Sequence, residues 1–317
     1  MVNAVPKLLI ATSTGPQYRE IFAREAPELE IKLFAKDDPS LAEFARDVDI
    51  VFAWYFAPEI LENAPKLRWI SSTGAGVDNI VAARPYLAPG AIATRMVDIF
   101  NDSMAEYVLG YLLAATLDVR RVFTQQAAKE WTQFAPPPLR GTTAVVVGLG
   151  RIGGEVARTL QRAGVKVIGV SRSGGTVEGI DEVHPISELD DVLARADALV
   201  LVTPLTDDTR GLIDGRRLGL LPRHATVVNV GRGAVIKQDE LVQALESDTI
   251  GGAVLDVFEE EPLPPDSPLW TMANVIVTPH IAGPDDIPLN ARRFLENYRR
   301  FVAGEPMAGV VDFARGY

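Results

Sequence analysis

Cysteine is absent from the 317 residues, which excludes a disulfide framework, a Cys-ligated zinc site and a thiol nucleophile. The absence is compatible with the cytoplasm, the expected compartment, and no metal is expected. Histidine is nearly as scarce. Only His184, His224 and His280 are there for a reaction that needs an imidazole. Basic residues are also in deficit, 31 against 42 acidic ones, for a formal charge of −11. Such a chain repels phosphate backbones, so nucleic acid is not an expected partner and any anion site must be locally basic. Long apolar runs are missing as well. The longest, at 107–117, is closed off by Glu106 and Asp118 and falls far short of the roughly 20 residues of a membrane span. It reads as a buried helix, and no membrane partner is expected. The opening MVNAVPKLLIATSTG has a short β-like run after Lys7 and no small-residue cleavage site, so no export signal is read there.

What is present is an ordinary globular composition, 47% apolar and 23% charged, in a chain long enough to favour two domains. Strand-like runs at 7–12, 30–34, 49–53 and 68–72 alternate with helix-compatible stretches at 18–25 and 41–46, a pattern that predicts a parallel sheet with helices on its faces. A long helix is expected from Asp102 or Ser103, either of which can cap it, with Glu106 placed as in a capping box. The amphipathic stretch 120–140, with Trp131 and three consecutive prolines at 136–138, reads as a linker or a protruding arm. From Thr142 the alternation restarts, with strands read at 142–147, 165–170, 198–203, 226–230, 252–257 and 274–278. Six strand signals in this span match a doubly wound dinucleotide-binding unit. The final helical stretch, 288–302, is expected to return to the first domain.

The sequence GLGRIGG occupies 148–154, directly after a strand. Gly148, Gly150 and Gly153 form G-x-G-x-x-G at the start of a helix running toward Ala163, where glycine lets a pyrophosphate reach the helix N-terminus. At the end of the next strand, where an acid usually binds the adenosine ribose, stand Ser171, Arg172 and Ser173. A carboxylate there would repel a 2′-phosphate, whereas a hydroxyl and a guanidinium bind it. NADP is therefore expected, as NADPH in preference to NADH; the plain alternative makes Arg172 a solvated surface charge.

Ligands of an open parallel sheet lie beyond the carboxyl ends of its strands, and this sorts the histidines. His224 precedes its strand and stands at the wrong edge. His184 falls in a surface connection after a short β-like run. His280, in NVIVTPHIAG, follows a strand directly. Arg232, in NVGRG, follows another, with Gly231 and Gly233 freeing the backbone around it. Asp256 and the acids Glu259, Glu260 and Glu261 follow a third, and spacing alone does not choose among the three glutamates. Trp54, Tyr55 and Phe56 form either a substrate wall or ordinary packing at a strand end.

In chain order, TGAGVD at 73–78, GLGRIG, TPLTDDTRGLI at 203–213, NVGRG at 229–233, LDVFEEEPLP at 255–264 and TPHIAG at 278–283 resemble the D-isomer-specific 2-hydroxyacid dehydrogenases over nearly the full length. Ser171-Arg172-Ser173, SPLW at 267–270 and the closing VDFARGY further resemble the branch of NADPH-dependent glyoxylate/hydroxypyruvate reductases. The resemblance implies an α/β protein of two doubly wound parallel-sheet domains. A Rossmann-type cofactor domain, 101–282, is inserted into a flavodoxin-like substrate domain, 1–100 and 283–317. It implies Arg232, Glu261 and His280 as catalytic residues of a reaction that reduces a 2-oxo acid to the D-2-hydroxy acid. Cofactor contacts fall on Gly148, Gly150, Arg151, Ile152, Gly153, Ser171, Arg172, Ser173, Thr203, Pro204 and Val230, with Asp256 at the nicotinamide carboxamide. Substrate contacts fall on Trp54, Arg232, His280 and the turn Gly74, Ala75 and Gly76, whose N–H groups suit a carboxylate. Met96-Val97-Asp98 departs from the Thr-Pro-Gly common in the family, which opens the substrate choice: glyoxylate or hydroxypyruvate first, phenylpyruvate or another larger acid as the alternative. Formate-oxidising relatives carry glutamine at the position of Glu261. Dinucleotide-sensing corepressors share the motifs and form the rival of another class. The arm at 120–140, with Val122, Phe123, Trp131 and Phe134, implies a homodimer.

Overall fold

The computed structural model describes residues 5–35, 38, 40–56 and 58–313; the last four residues of the closing VDFARGY lie outside them. The chain divides into two compact units, Met1–Ile99 with Asp285–Tyr317, and Phe100–Pro284. The first unit begins with β1 (Lys7–Ala11), α1 (Gly15–Glu25), β2 (Glu30–Leu33), α2 (Leu41–Ala45), β3 (Ile50–Ala53), α3 (Pro58–Leu61), β4 (Trp69–Ser72), α4 (Asp78–Ala83) and β5 (Ile92–Thr94). Its strands are all parallel in the order β2-β1-β3-β4-β5, the flavodoxin arrangement. β3 and β4 are buried throughout, which is why they read as unbroken apolar or small-residue runs: helices cover both faces of a parallel sheet. β5 has three residues, too short a run to announce a strand.

The second unit continues with α5 (Asn101–Thr116), α6 (Val119–Ala128), β6 (Thr143–Val147), α7 (Arg151–Arg162), β7 (Lys166–Ser171), β8 (Glu182–Pro185), α8 (Leu189–Leu193), β9 (Ala198–Leu201), α9 (Gly215–Leu218), β10 (Thr226–Asn229), α10 (Gln238–Glu246), β11 (Gly252–Leu255) and β12 (Val275–Val277). Its sheet runs β12-β11-β10-β9-β6-β7-β8, parallel throughout and of Rossmann order around β6. The seventh strand, β8, is a half-buried edge strand, and it holds His184, which therefore does not lie in a surface connection. Its ring sits between Glu188 at 2.8 Å and Glu182 at 3.0 Å, and these carboxylates push its pKa up.

The expected cap of α5 is not formed. Phe100 is the N-cap and no side chain caps the helix, while the Ser103 hydroxyl donates to the Phe100 carbonyl at 3.2 Å. The helix starts earlier than the polar residues implied, and Asp102 stands inside its first turn, where it still complements the helix dipole. Nor is the 107–117 run fully buried: Val108 and Leu112 are, but Leu113 and Leu117 are exposed. The last helix, α11 (Ile287–Ala303), belongs to the first unit. Phe294 stacks on Trp69 of β4, ring centroids 5.0 Å apart, and meets Phe22 and Phe52.

Candidate active site

The carboxyl edge of the seven-stranded sheet is shaped by backbone before any side chain. Gly148 has a φ of +100°, and a Cβ there would lie 2.7 Å from the Val202 carbonyl oxygen; a Cβ on Gly153 would lie 1.7 Å from that of Gly148. These glycines are demanded by the close approach of the turn to α7. Gly150 differs, because a Cβ there would meet no atom of the chain. It is the N-cap of α7, with no side-chain cap and no acid in the first turn, so the N–H groups and positive dipole end of that helix face open space suited to an anion. Beside it, the buried Thr203 hydroxyl has no hydrogen-bond partner among the described residues. An open helix N-terminus and an orphaned hydroxyl at one sheet edge fit a dinucleotide. Arg151 and Pro204 are exposed there, Ile152 is half-buried and Val230 is buried. At the end of β7, Arg172 and Ser173 are exposed. The Ser171 hydroxyl instead donates to the Gly174 carbonyl at 3.2 Å, closing the turn that presents Arg172.

At the ends of β10, β11 and β12, three loops bring Arg232, Glu261 and His280 into one neighbourhood. His280 Nδ1 lies 2.7 Å from Glu261 Oε2, and both side chains are about one-third exposed. The second carboxylate oxygen of Glu261 accepts the Phe258 N–H at 2.9 Å. Burial alone would raise the Glu261 pKa, but these two hydrogen bonds and the charges of His280 and Arg232 hold it below the ordinary carboxylate value. Of the three consecutive acids only Glu261 meets the imidazole; Glu259 accepts the Gln238 N–H and Glu260 is exposed. A Cβ on Gly233 would lie 1.8 Å from the Phe258 carbonyl carbon, so the Arg232 turn rests directly on the segment leading to Glu261.

His280 has a φ of +54°, an uncommon conformation for a non-glycine residue. Its N–H donates to the carbonyls of Asp256 and Thr278. The Asp256 carboxylate accepts the Thr278 hydroxyl at 2.6 Å and the N–H groups of Ile281 at 2.8 Å and Ala282 at 2.9 Å. Asp256 is only 1% exposed. A buried carboxylate requires such donors, and through them Asp256 holds the His280 loop. His224 stands at the opposite edge, 2.6 Å from Asp197.

In the first unit, Trp54 follows β3 and the Gly74-Ala75-Gly76 turn follows β4. A Cβ on Gly74 would lie 1.8 Å from the Trp54 ring, so the indole packs directly against that glycine. The Trp54 carbonyl is held by Asn79 at 3.3 Å. Gly74 donates its N–H to the Ser72 hydroxyl at 3.1 Å. The Ala75 and Gly76 N–H groups have no protein acceptor among the described residues. Tyr55 is exposed and Phe56 is buried, so Phe56 is ordinary packing.

Comparison with known proteins matches residues 109–282 to the family described as D-isomer specific 2-hydroxyacid dehydrogenase, NAD binding domain. The chain belongs to that family. This dehydrogenase is 30% identical over 306 residues to glyoxylate/hydroxypyruvate reductase A of Photorhabdus laumondii subsp. laumondii, covering 95% of this chain and 96% of that one. Among solved structures it resembles the NADPH-dependent glyoxylate/hydroxypyruvate reductase of Sinorhizobium meliloti in complex with NADP and sulfate, at 34% identity and a TM-score of 0.88, over 98% and 100% of the two chains. It also resembles a D-isomer specific 2-hydroxyacid dehydrogenase of Xanthobacter autotrophicus in complex with NADPH and MES, at 34% identity and a TM-score of 0.87, over 99% and 100%.

Two features of this dehydrogenase escape a reading of the sequence. Tyr107 of α5 hydrogen-bonds the Thr278 hydroxyl, extending the Asp256 network across 171 positions. Asn229, the last residue of β10, is buried among apolar neighbours. A polar residue closing an apolar strand is the one signal that could have singled it out.

Proposed function

We propose that this dehydrogenase reduces a small 2-oxo acid, glyoxylate or hydroxypyruvate, to the D-2-hydroxy acid with NADPH in preference to NADH. The observation that carries the reading is the 2.7 Å contact between His280 and Glu261 at the sheet edge that also bears Arg232 and the glycine cradle. The dinucleotide, when bound, supplies the hydride to the carbonyl carbon. His280 donates its proton to the oxygen on which negative charge develops. Glu261, ionised because its pKa is lowered, orients the imidazole and favours its protonated form. Arg232 holds the substrate carboxylate or polarises the carbonyl. We assign the Ala75 and Gly76 N–H groups and the Trp54 indole to substrate recognition. The names of the relatives support the substrate class, and the exposed Arg172, set between Ser171 and Ser173 where the chain could have carried a ribose-binding acid, supports the choice of cofactor.

A turnover assay with NADPH and a panel of 2-oxo acids tests the reading. The highest kcat/KM is expected for glyoxylate or hydroxypyruvate. A clear preference for phenylpyruvate would replace the substrate class, and no turnover of any acid would turn the chain into a dinucleotide sensor. Glu261→Gln moves the alkaline limb of the reduction profile to lower pH. Reduction needs the protonated imidazole, and the substitution removes the anion that stabilises it. An unchanged alkaline limb would show that the pair is not coupled in turnover.

The proposal includes a homodimer acting in the cytoplasm. On α6 and the stretch after it, Phe123 is 64% and Trp131 93% exposed, joined by Val122 of α6, by Leu113 of the preceding helix and by Leu117 just after that helix. Phe134 is covered by Arg121, 4.2 Å from its ring. An apolar strip of this kind is costly in water and suits a second copy of the chain. Sedimentation at micromolar concentration is expected to show a dimer; a monomer would remove this part. Among the described residues no helix is long and apolar enough to cross a membrane.

A further inference from the structure

We propose that Asn229 is a positioning residue for Arg232, an inference that rests on the reading of Arg232 as the group that holds the substrate. Asn229 ends β10 and is 1% exposed, after two buried valines. A buried amide is tolerated only if its donor and acceptor are both satisfied. Here both bonds go to the turn that carries Arg232. Oδ1 accepts the Gly231 N–H at 3.1 Å, and Nδ2 donates to the Arg232 carbonyl at 3.0 Å. Only one orientation of the amide satisfies an N–H on one side and a carbonyl on the other, so the two bonds assign its atoms.

Close backbone contacts flank this turn on two sides. A Cβ on Gly231 would lie 2.8 Å from the Thr203 carbonyl oxygen, and one on Gly233 would lie 1.8 Å from the Phe258 carbonyl carbon. The turn is therefore confined between the segments that follow β9 and β11. Nothing in those two contacts stops it from lifting away from the end of β10. The Asn229 amide adds a restraint from the strand end, at the Arg232 carbonyl that also accepts the Val235 N–H at 3.1 Å. The same residue also ties the turn to the histidine loop, because the Asn229 main-chain carbonyl accepts the Asp256 N–H at 3.0 Å, and Asp256 holds residues 281 and 282.

Asparagine suits this position because the task needs an acceptor and a donor on one short side chain. Aspartate keeps the bond from Gly231 but sets a carboxylate oxygen against the Arg232 carbonyl. Alanine removes both bonds. Neither substitution touches the reacting atoms, so a loss of activity with NADPH affinity unchanged points to the position of Arg232.

The test compares N229A, N229D, R232A and the double variants N229A/R232A and N229D/R232A, with glyoxylate as substrate and NADPH as cofactor. N229A and N229D are expected to lower kcat/KM by about 10- to 100-fold, the cost of displacing a positioned group by an ångström or less. NADPH affinity and the alkaline limb of the pH profile stay where they are, and neither substitution lowers activity further once Arg232 is alanine. Amide hydrogen exchange, which needs neither substrate nor cofactor, speeds up at Gly231 in N229A and less in N229D. If N229A does not fold, the nearly isosteric N229D carries the comparison. Wild-type kcat/KM in N229D, losses that multiply with that of R232A, or NADPH affinity that falls in step would each overturn the proposal. An R232A variant as active as the parent would instead overturn the reading of Arg232 on which it rests.

Discussion

His280→Ala lowers the rate of 2-oxo acid reduction by about 10²- to 10⁴-fold, the usual contribution of a positioned proton donor, and leaves NADPH binding close to that of the parent. The loss is that large because neither of the other two histidines stands where it could replace the imidazole. His224 lies at the opposite sheet edge against Asp197, and His184 is engaged by Glu182 and Glu188 on the edge strand. The loop itself survives the substitution, since its restraints come from Asp256 through the main chain at 281 and 282. Alanine at a φ of +54° is somewhat strained, so a thermal denaturation curve belongs beside the rate measurement. Turnover within a few-fold of the parent, with NADPH bound normally, would remove His280 as the proton donor.

Arg172→Ala raises the KM for NADPH by about 10- to 100-fold, the equivalent of one charge-assisted hydrogen bond to a phosphate, and changes the KM for NADH by less than about threefold. The asymmetry follows from geometry and charge. Ser171 spends its hydroxyl on Gly174, which leaves Arg172 and Ser173 as the exposed groups at the end of β7. A 2′-phosphate interacts with that guanidinium, whereas a 2′-hydroxyl carries no charge to attract it. Steady-state kinetics with both cofactors decide the matter. Equal losses would mean that Arg172 does not discriminate the 2′-phosphate.

Much of the fold was legible because parallel strands covered on both faces must be apolar along their whole length. The runs around 50–53, 143–147 and 198–201 could hardly be anything else. β5 and β8 lacked that signal for different reasons. The first has three residues, and the second is an edge strand with charged and imidazole side chains. The start of α5 was misplaced because polar residues were present where capping was expected, while the chain had already entered the helix at Asn101.

By itself the sequence determined the class of architecture, the glycine cradle and the order of the motifs at the ends of the strands. It also left a single histidine at the ligand edge, since the side on which a residue meets the sheet follows from whether it precedes or follows its strand. Spacing left Glu259, Glu260 and Glu261 equivalent and the resemblance pointed to Glu261; the tertiary structure supplied the contact itself, by a loop that turns Glu261 alone of the three toward the ring. It likewise gave Asp256 to the histidine loop and Asn229 to the arginine turn. The Asp256 bonds join residues 25 and 26 positions apart that become neighbours through the pairing of β11 and β12, whereas the Asn229 bonds are local and are required because packing buries that amide, which local sequence does not encode.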